Sequence, residues 1–164
     1  MAQITFKGAP IQTTGELPQI RTIAPQFHLN SKDGIKSLND FPGKKVIATL
    51  PKIETQTCSM MSHQISKLAN KYPHVKFLIV STDSLEVQMN FCAAQKIDNV
   101  ITLSADKKNP FGADYGLLMV DGPIKDHLAR SMIVVDEKNC IVAVELVAEI
   151  THEPNYELIE KFLK

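Results

Sequence analysis

Residues 46–72 read VIATLPKIETQTCSMMSHQISKLANKY. The segment opens on a continuous apolar run, Val46 to Leu50, closed by Pro51. An apolar run without alternation predicts a strand buried on both faces of a sheet. From Met61 the apolar residues recur at Ile65, Leu68 and Tyr72, in steps of four, three and four. That spacing predicts one face of a helix. Between strand and helix lies a short turn holding Thr55, Thr57 and Cys58. A cysteine is thus placed where a strand hands over to a helix, and the rest of the chain is read outward from it.

Downstream, Tyr72-Pro73 stops the helix and Val75 to Val80 forms a second apolar strand. Asp83 or Ser84 is positioned to cap a second helix, whose Leu85, Met89 and Ala93 recur in steps of four and which contains Cys92. Val100 to Leu103 is a third strand. Asn109-Pro110 opens a short helix with a Phe111/Tyr115 pair, and Gly116 is suited to end it. Leu117 to Val120, Ser131 to Val135 and Ile141 to Val147 read as strands, the last two joined by a tight turn at 136–139. Pro154 opens a final helix with Ile159, Phe162 and Leu163 as its apolar side. Upstream, Ile4 to Thr13 reads as a hairpin broken at Gly8 and Pro10, and Leu17 to Pro25 as a loop. Phe27 to Leu29 is a short strand, Asp33-Gly34 a turn, and Ser37 caps one helical turn through Phe41. Strand–helix alternation in the first half implies a parallel core, with antiparallel edges added later.

The chain has 164 residues, which fits one domain over 1–164. Lys+Arg and Asp+Glu are 18 each, so the charge balance gives no support for nucleic-acid or acidic-membrane binding. No apolar run is long enough to span a bilayer, and the N-terminal residues lack a signal-peptide pattern. Three cysteines without a CxxC pair argue against a disulfide framework and fit a reducing cytoplasm.

A cysteine at a helix start meets free backbone N–H groups and the positive end of the helix dipole, both of which favour thiolate. The dipole contributes about 0.3–1 kcal/mol, at most ~2. Lowering a thiol pKa from about 8.5 to about 6 requires ~3.4 kcal/mol, so a cation or further hydrogen bonds must join it. Thr55 offers a hydroxyl three residues away, and Arg130 ends a loop just before a strand. Glu54 opposes the thiolate unless it points outward or pairs with the arginine. Without further information, a lone cysteine is more often a small buried apolar residue, and an isolated arginine a surface charge.

Pro51, Thr55 and Cys58 form P-x-x-x-T-x-x-C, which resembles the active-site signature of the peroxiredoxins. The wider match is to the bacterial thiol peroxidases, an atypical two-cysteine branch. It includes the N-terminal TFKGAPI, the Phe41-Pro42-Gly43-Lys44 turn, residues 99–104, Tyr115-Gly116, Asp121-Gly122-Pro123, Ala129-Arg130, and a tail from Glu149 to Tyr156. The resemblance implies a thioredoxin-like α/β fold, with a central mixed sheet flanked by helices and an N-terminal β-hairpin. It implies a peroxidase that reduces hydrogen peroxide and organic hydroperoxides, preferring alkyl hydroperoxides, without metal or other cofactor. By resemblance, Cys58 is the peroxidatic cysteine. Thr55 would hydrogen-bond the sulfur and the peroxide, Arg130 would stabilise the thiolate and the leaving oxygen, and Pro51 would shield the sulfenic acid. Cys92 matches the resolving cysteine, which would form an intramolecular disulfide with Cys58, recycled by thioredoxin. A homodimer is likewise implied.

Cys92 follows Cys58 by 92 − 58 = 34 residues, in a different helix. A disulfide needs Cα atoms within about 7 Å, so both segments are expected to unwind partly during turnover. Lys52, Glu54 and Thr57 depart from the branch's usual serine, aspartate and apolar residue, and 81–85 departs from its usual Ala-Asp-Leu-Pro-Phe. None removes a group the chemistry requires. Cys140 matches no cysteine of the branch. His63 is off the Cys58 face, and no zinc spacing, phosphate loop or dinucleotide fingerprint is present. Two other readings stand beside the enzyme: a redox sensor that uses the same disulfide switch without turnover, and a thioredoxin-fold binding module with inert cysteines.

Overall fold

A computed structural model describes residues 1–164. The N-terminal hairpin is β1 (Gln3–Phe6) and β2 (Ala9–Thr14). A second hairpin follows, β3 (His28–Ser31) and β4 (Gly34–Ser37), turned at Asp33-Gly34. Ser37 then caps a single 3₁₀ turn, Leu38–Asp40, in a capping box with Asp40. Strand β5 (Lys45–Thr49) leads into α1 (Gln56–Lys71), β6 (Lys76–Ser81), α2 (Leu85–Gln95) and β7 (Ile101–Ser104). The chain continues through α3 (Phe111–Asp114), β8 (Leu118–Met119), β9 (Ser131–Val135), β10 (Ile141–Leu146) and α4 (Tyr156–Glu160). The principal sheet has seven strands in the order β10-β9-β5-β6-β7-β3-β4. Its centre, β5-β6-β7, is parallel, and both flanks are antiparallel.

The absence of alternation in β5 and β6 has its cause in the layering. Ile47, Leu78 and Val80 face one apolar cluster, whereas Val46, Ala48, Phe77 and Ile79 face the other. Period-2 side chains are apolar on both sides because both sides are covered. Helix α1 covers the second cluster with Met61, Ile65, Leu68 and Tyr72, the stripe expected from the sequence. Short α3 covers the first, with Phe111 stacked on Tyr115 at 4.4 Å between ring centres.

Four expectations need correction. Strand β4 was not anticipated, because this half-exposed edge carries no apolar period. The 117–120 strand shrinks to Leu118–Met119 and pairs with β2 in a separate three-stranded sheet. In α2 the Leu85-Met89-Ala93 stripe is not the buried face: Met89 and Ala93 are exposed, and Gln88 and Phe91 are buried instead. The last helix starts at Tyr156 with Asn155 as its cap, and Phe162 is exposed.

The Tyr115 phenol is fully buried and donates to the Pro25 carbonyl at 2.6 Å. Burial pushes its pKa well above the ordinary tyrosine value. A tyrosine in the unfolded chain ionises near 10, so above that pH the unfolded state binds fewer protons. Stability is therefore expected to fall above pH ~10, by about 1.4 kcal/mol per pH unit for this group. Tyr115→Phe leaves Pro25 O without its donor and should cost about 1 kcal/mol at pH 7. That gap should close near pH ~11, as urea titrations at the two pH values would show; a gap that stays constant contradicts the linkage.

Candidate active site

Cys58 lies in the first turn of α1, whose N-cap is Thr55. The extended backbone of Thr55 (φ −73°, ψ 157°) converts the loop after β5 into the helix. The cysteine has no solvent-exposed surface and packs in the second cluster with Met61 and Ile53. Its sulfur accepts from Arg130 Nη1 at 3.3 Å, and the same nitrogen approaches Met61 Sδ at 3.6 Å.

Arg130 is only 3% exposed and sits immediately before β9. Its backbone is fixed on both sides. Thr49 Oγ1, at the end of β5, lies 2.8 Å from Ala129 O and 2.6 Å from Ser131 Oγ, and Val147 N–H donates to Arg130 O at 3.0 Å. The guanidinium Nε donates to Ile150 O at 3.0 Å, which fixes its plane. The tail around Ile150 is anchored in turn: Thr57 Oγ1 donates to Thr151 O at 3.2 Å. Glu149 accepts from Thr5 Oγ1, the Gly8 amide, and both the amide and hydroxyl of Thr151. These bonds hold its carboxyl well below the usual range. The chain has two ion pairs, the Met1 terminus with Glu16 and Lys71 with Glu160, and neither involves Arg130.

The fold thus brings Cys58 and Arg130 together across 72 residues of sequence. Glu54, the residue that opposed a thiolate, is exposed, and neither ion pair of the chain involves it. Pro51 is buried at the end of the β5 extension. The Thr55 hydroxyl is not on the sulfur; it donates to Lys52 O at 3.0 Å. Cys92 occupies the last turn of α2, packed against the same cluster as Cys58, and all three cysteines are free thiols. Burial pushes the Cys92 thiol up, which keeps it protonated while the helix is wound. Its helix ends on Lys96 in the left-handed region (φ 57°), with Ile97 N–H closing back to Cys92 O at 2.9 Å. Cys140 lies beside the β9–β10 turn, far in topology from both other cysteines. No His/Cys/Asp/Glu cluster suited to a metal is present, and no helix is long and apolar enough to cross a membrane. Sequence reasoning missed the supporting shell, namely Thr49, Ser131, Met61 Sδ and the Ile150 carbonyl. Backbone acceptors and neutral hydroxyls leave no spacing signal.

Residues 18–159 match the family model described as Redoxin. Thiol peroxidases of Mycobacterium tuberculosis and Mycobacterium bovis are 38% identical over 159 residues, covering 96% of this chain and 95% of theirs. Among solved structures, a peroxiredoxin-like protein from Aquifex aeolicus superposes with TM-score 0.90 at 28% identity, over 99% of this chain and 96% of that one. A thiol peroxidase from Chromobacterium violaceum gives TM-score 0.92 at 20% identity over the same shares and supports the thioredoxin-like fold alone. The chain belongs to the redoxin family, and within it to the thiol peroxidases among the peroxiredoxins.

Proposed function

We propose that Cys58 is the peroxidatic residue of a thioredoxin-dependent peroxidase acting on hydrogen peroxide and organic, chiefly alkyl, hydroperoxides. The observation that carries this reading is the buried guanidinium of Arg130 at 3.3 Å from the Cys58 sulfur. The Cys58 thiolate attacks the terminal peroxide oxygen. The O–O bond breaks with its electron pair leaving on the alkoxide or hydroxide, which takes a proton to become alcohol or water. Arg130 offsets the negative charge as it moves from sulfur to the leaving oxygen. Thr55 joins by rotating its hydroxyl from Lys52 O toward the sulfur, and Pro51 limits water at the sulfenic acid. Cys92 then condenses with that acid, releasing water and forming the Cys58–Cys92 disulfide, which a thioredoxin dithiol reduces. A homodimer in the cytoplasm is part of the same reading, and the disulfide cycle needs no metal or organic cofactor.

The test is NADPH consumption in a thioredoxin/thioredoxin-reductase mixture fed cumene hydroperoxide. Cys92→Ser should strongly reduce turnover while Cys140→Ser leaves it unchanged. One stoichiometric oxidation without turnover would replace the enzyme by a redox sensor. A second expectation concerns motion. Cys58 has no exposed surface and Cys92 is held in a closed helical turn, so the disulfide requires both turns to open. Amide hydrogen exchange at 55–62 and 88–96 should be faster in the oxidised protein by at least about tenfold. Identical protection in the two redox states would contradict it.

A further inference from the structure

Away from Arg130, a buried polar network links the two cysteine-bearing segments. Asp83 Oδ2 accepts the Ile53 amide at 2.8 Å and the Ser81 hydroxyl at 2.7 Å. Ser81 Oγ in turn accepts from Gln88 Nε2 at 2.9 Å, and that nitrogen also donates to Leu103 O at 2.9 Å. The Asp83 carbonyl takes the Ser104 hydroxyl at 2.6 Å. Ser81 and Gln88 are fully buried. Ile53 stands in the loop between Pro51 and Thr55, so its amide is the fastening point of the turn that delivers Cys58. Gln88 is one helical turn before Cys92 on α2. The Leu103 carbonyl can only accept, which fixes the amide orientation and leaves Gln88 Oε1 buried without a partner. An unpaired buried acceptor is unfavourable, and unwinding α2 into water would relieve it.

We propose that Asp83 is a positioning residue for the Pro51–Thr55 loop, and that Ser81 and Gln88 make its hold depend on the folded state of the helix carrying Cys92. The inference rests on the Cys58–Cys92 cycle above. With α2 wound, the amide of Ile53 is held and the Cys58 turn is ordered for attack on peroxide. When α2 unwinds, Gln88 leaves Ser81, the hydroxyl is freed to turn from Asp83, and the loop loosens. The two turns therefore open together rather than independently.

The test uses the full reduced chain and reads exchange at the Ile53 amide. Gln88→Met touches neither partner of the Ile53–Asp83 bond and Ser81→Ala removes only a second donor to Asp83, yet each should speed that exchange about five- to tenfold. Asn99→Ala, which severs α1 contacts to Ser66 and Asn70, should leave it within about twofold. An Ile53 rate unchanged in both network variants overturns the coupling, and the small Ser81→Ala change guards against a misfolded Gln88→Met. In single-turnover oxidation by one equivalent of peroxide, Asp83→Ala should slow Cys58 oxidation about tenfold, and Asp83→Asn, which keeps an acceptor, should restore most of it. Equal slowing in both variants overturns the positioning role. A wild-type chain that forms no disulfide would sink the cycle alone, and Ile53 exchange would still decide the coupling.

Discussion

Cys58→Ser is expected to abolish peroxide turnover at every peroxide concentration. In the proposed cycle the two electrons that cleave the O–O bond come from the sulfur, which would end as a sulfenic acid and then as half of a disulfide. A serine hydroxyl stays un-ionised near neutral pH and cannot be carried along that series. The substitution is nearly isosteric in a cavity that already excludes solvent, so the fold should persist. The comparison is therefore clean: NADPH consumption at the uncatalysed background, with a cooperative thermal transition retained. Residual turnover above background would move the peroxidatic role to Cys92 or Cys140.

Arg130→Met should lower kcat/KM for hydroperoxide by about 10²–10³-fold, the range for losing one preorganised donor at a site of developing charge. The mechanism of loss is specific. Arg130 Nη1 is the only hydrogen-bond donor found on the Cys58 sulfur, and Nε holds the guanidinium to Ile150 O. Arg130→Lys retains charge but not the rigid fork, so an ammonium serves Ile150 O or the sulfur but not both, and most of the loss should remain. Arg130→Met leaves the Ile150 carbonyl without this donor, so about 1–3 kcal/mol of stability should go with its activity. Stopped-flow oxidation at a temperature well below each variant's unfolding transition separates the two effects. A lysine variant with wild-type kcat/KM would show that charge alone suffices.

The parts of the fold that the sequence discloses are those with one physical reason for their pattern. Strands β5 and β6 are covered on both faces, so their runs are apolar throughout, and α1 is covered on one, so Met61, Ile65, Leu68 and Tyr72 recur at helical steps. The misreading of α2 has an equally definite cause. Its buried side is anchored by a polar residue, Gln88, whose amide replaces an apolar contact by hydrogen bonds to Ser81 and Leu103. A search for apolar recurrence then finds Leu85, Met89 and Ala93, most of which faces water. Strand β4 escaped because an edge strand needs no buried face. The Cys58 turn was legible from residue types, but the approach of Arg130 was not. Resemblance suggested it, and its geometry comes from β5 and β9 pairing in register at Thr49 and Ser131.

The missing ion pair of Arg130 bears on the redox poise of the molecule. In the reduced protein the sulfur is hydrogen-bonded to this buried guanidinium and can carry a compensating negative charge, while neither ion pair of the chain involves Arg130. In the proposed cycle, disulfide formation removes that anion and leaves the cation buried without a counter-charge, an arrangement that costs free energy. The reduced form is favoured by the difference. Each ~1.4 kcal/mol of it raises the two-electron potential by about 30 mV, making the disulfide a stronger oxidant and an easier target for a dithiol. In that proposed cycle the guanidinium that would promote attack on peroxide would also favour the return to the thiol.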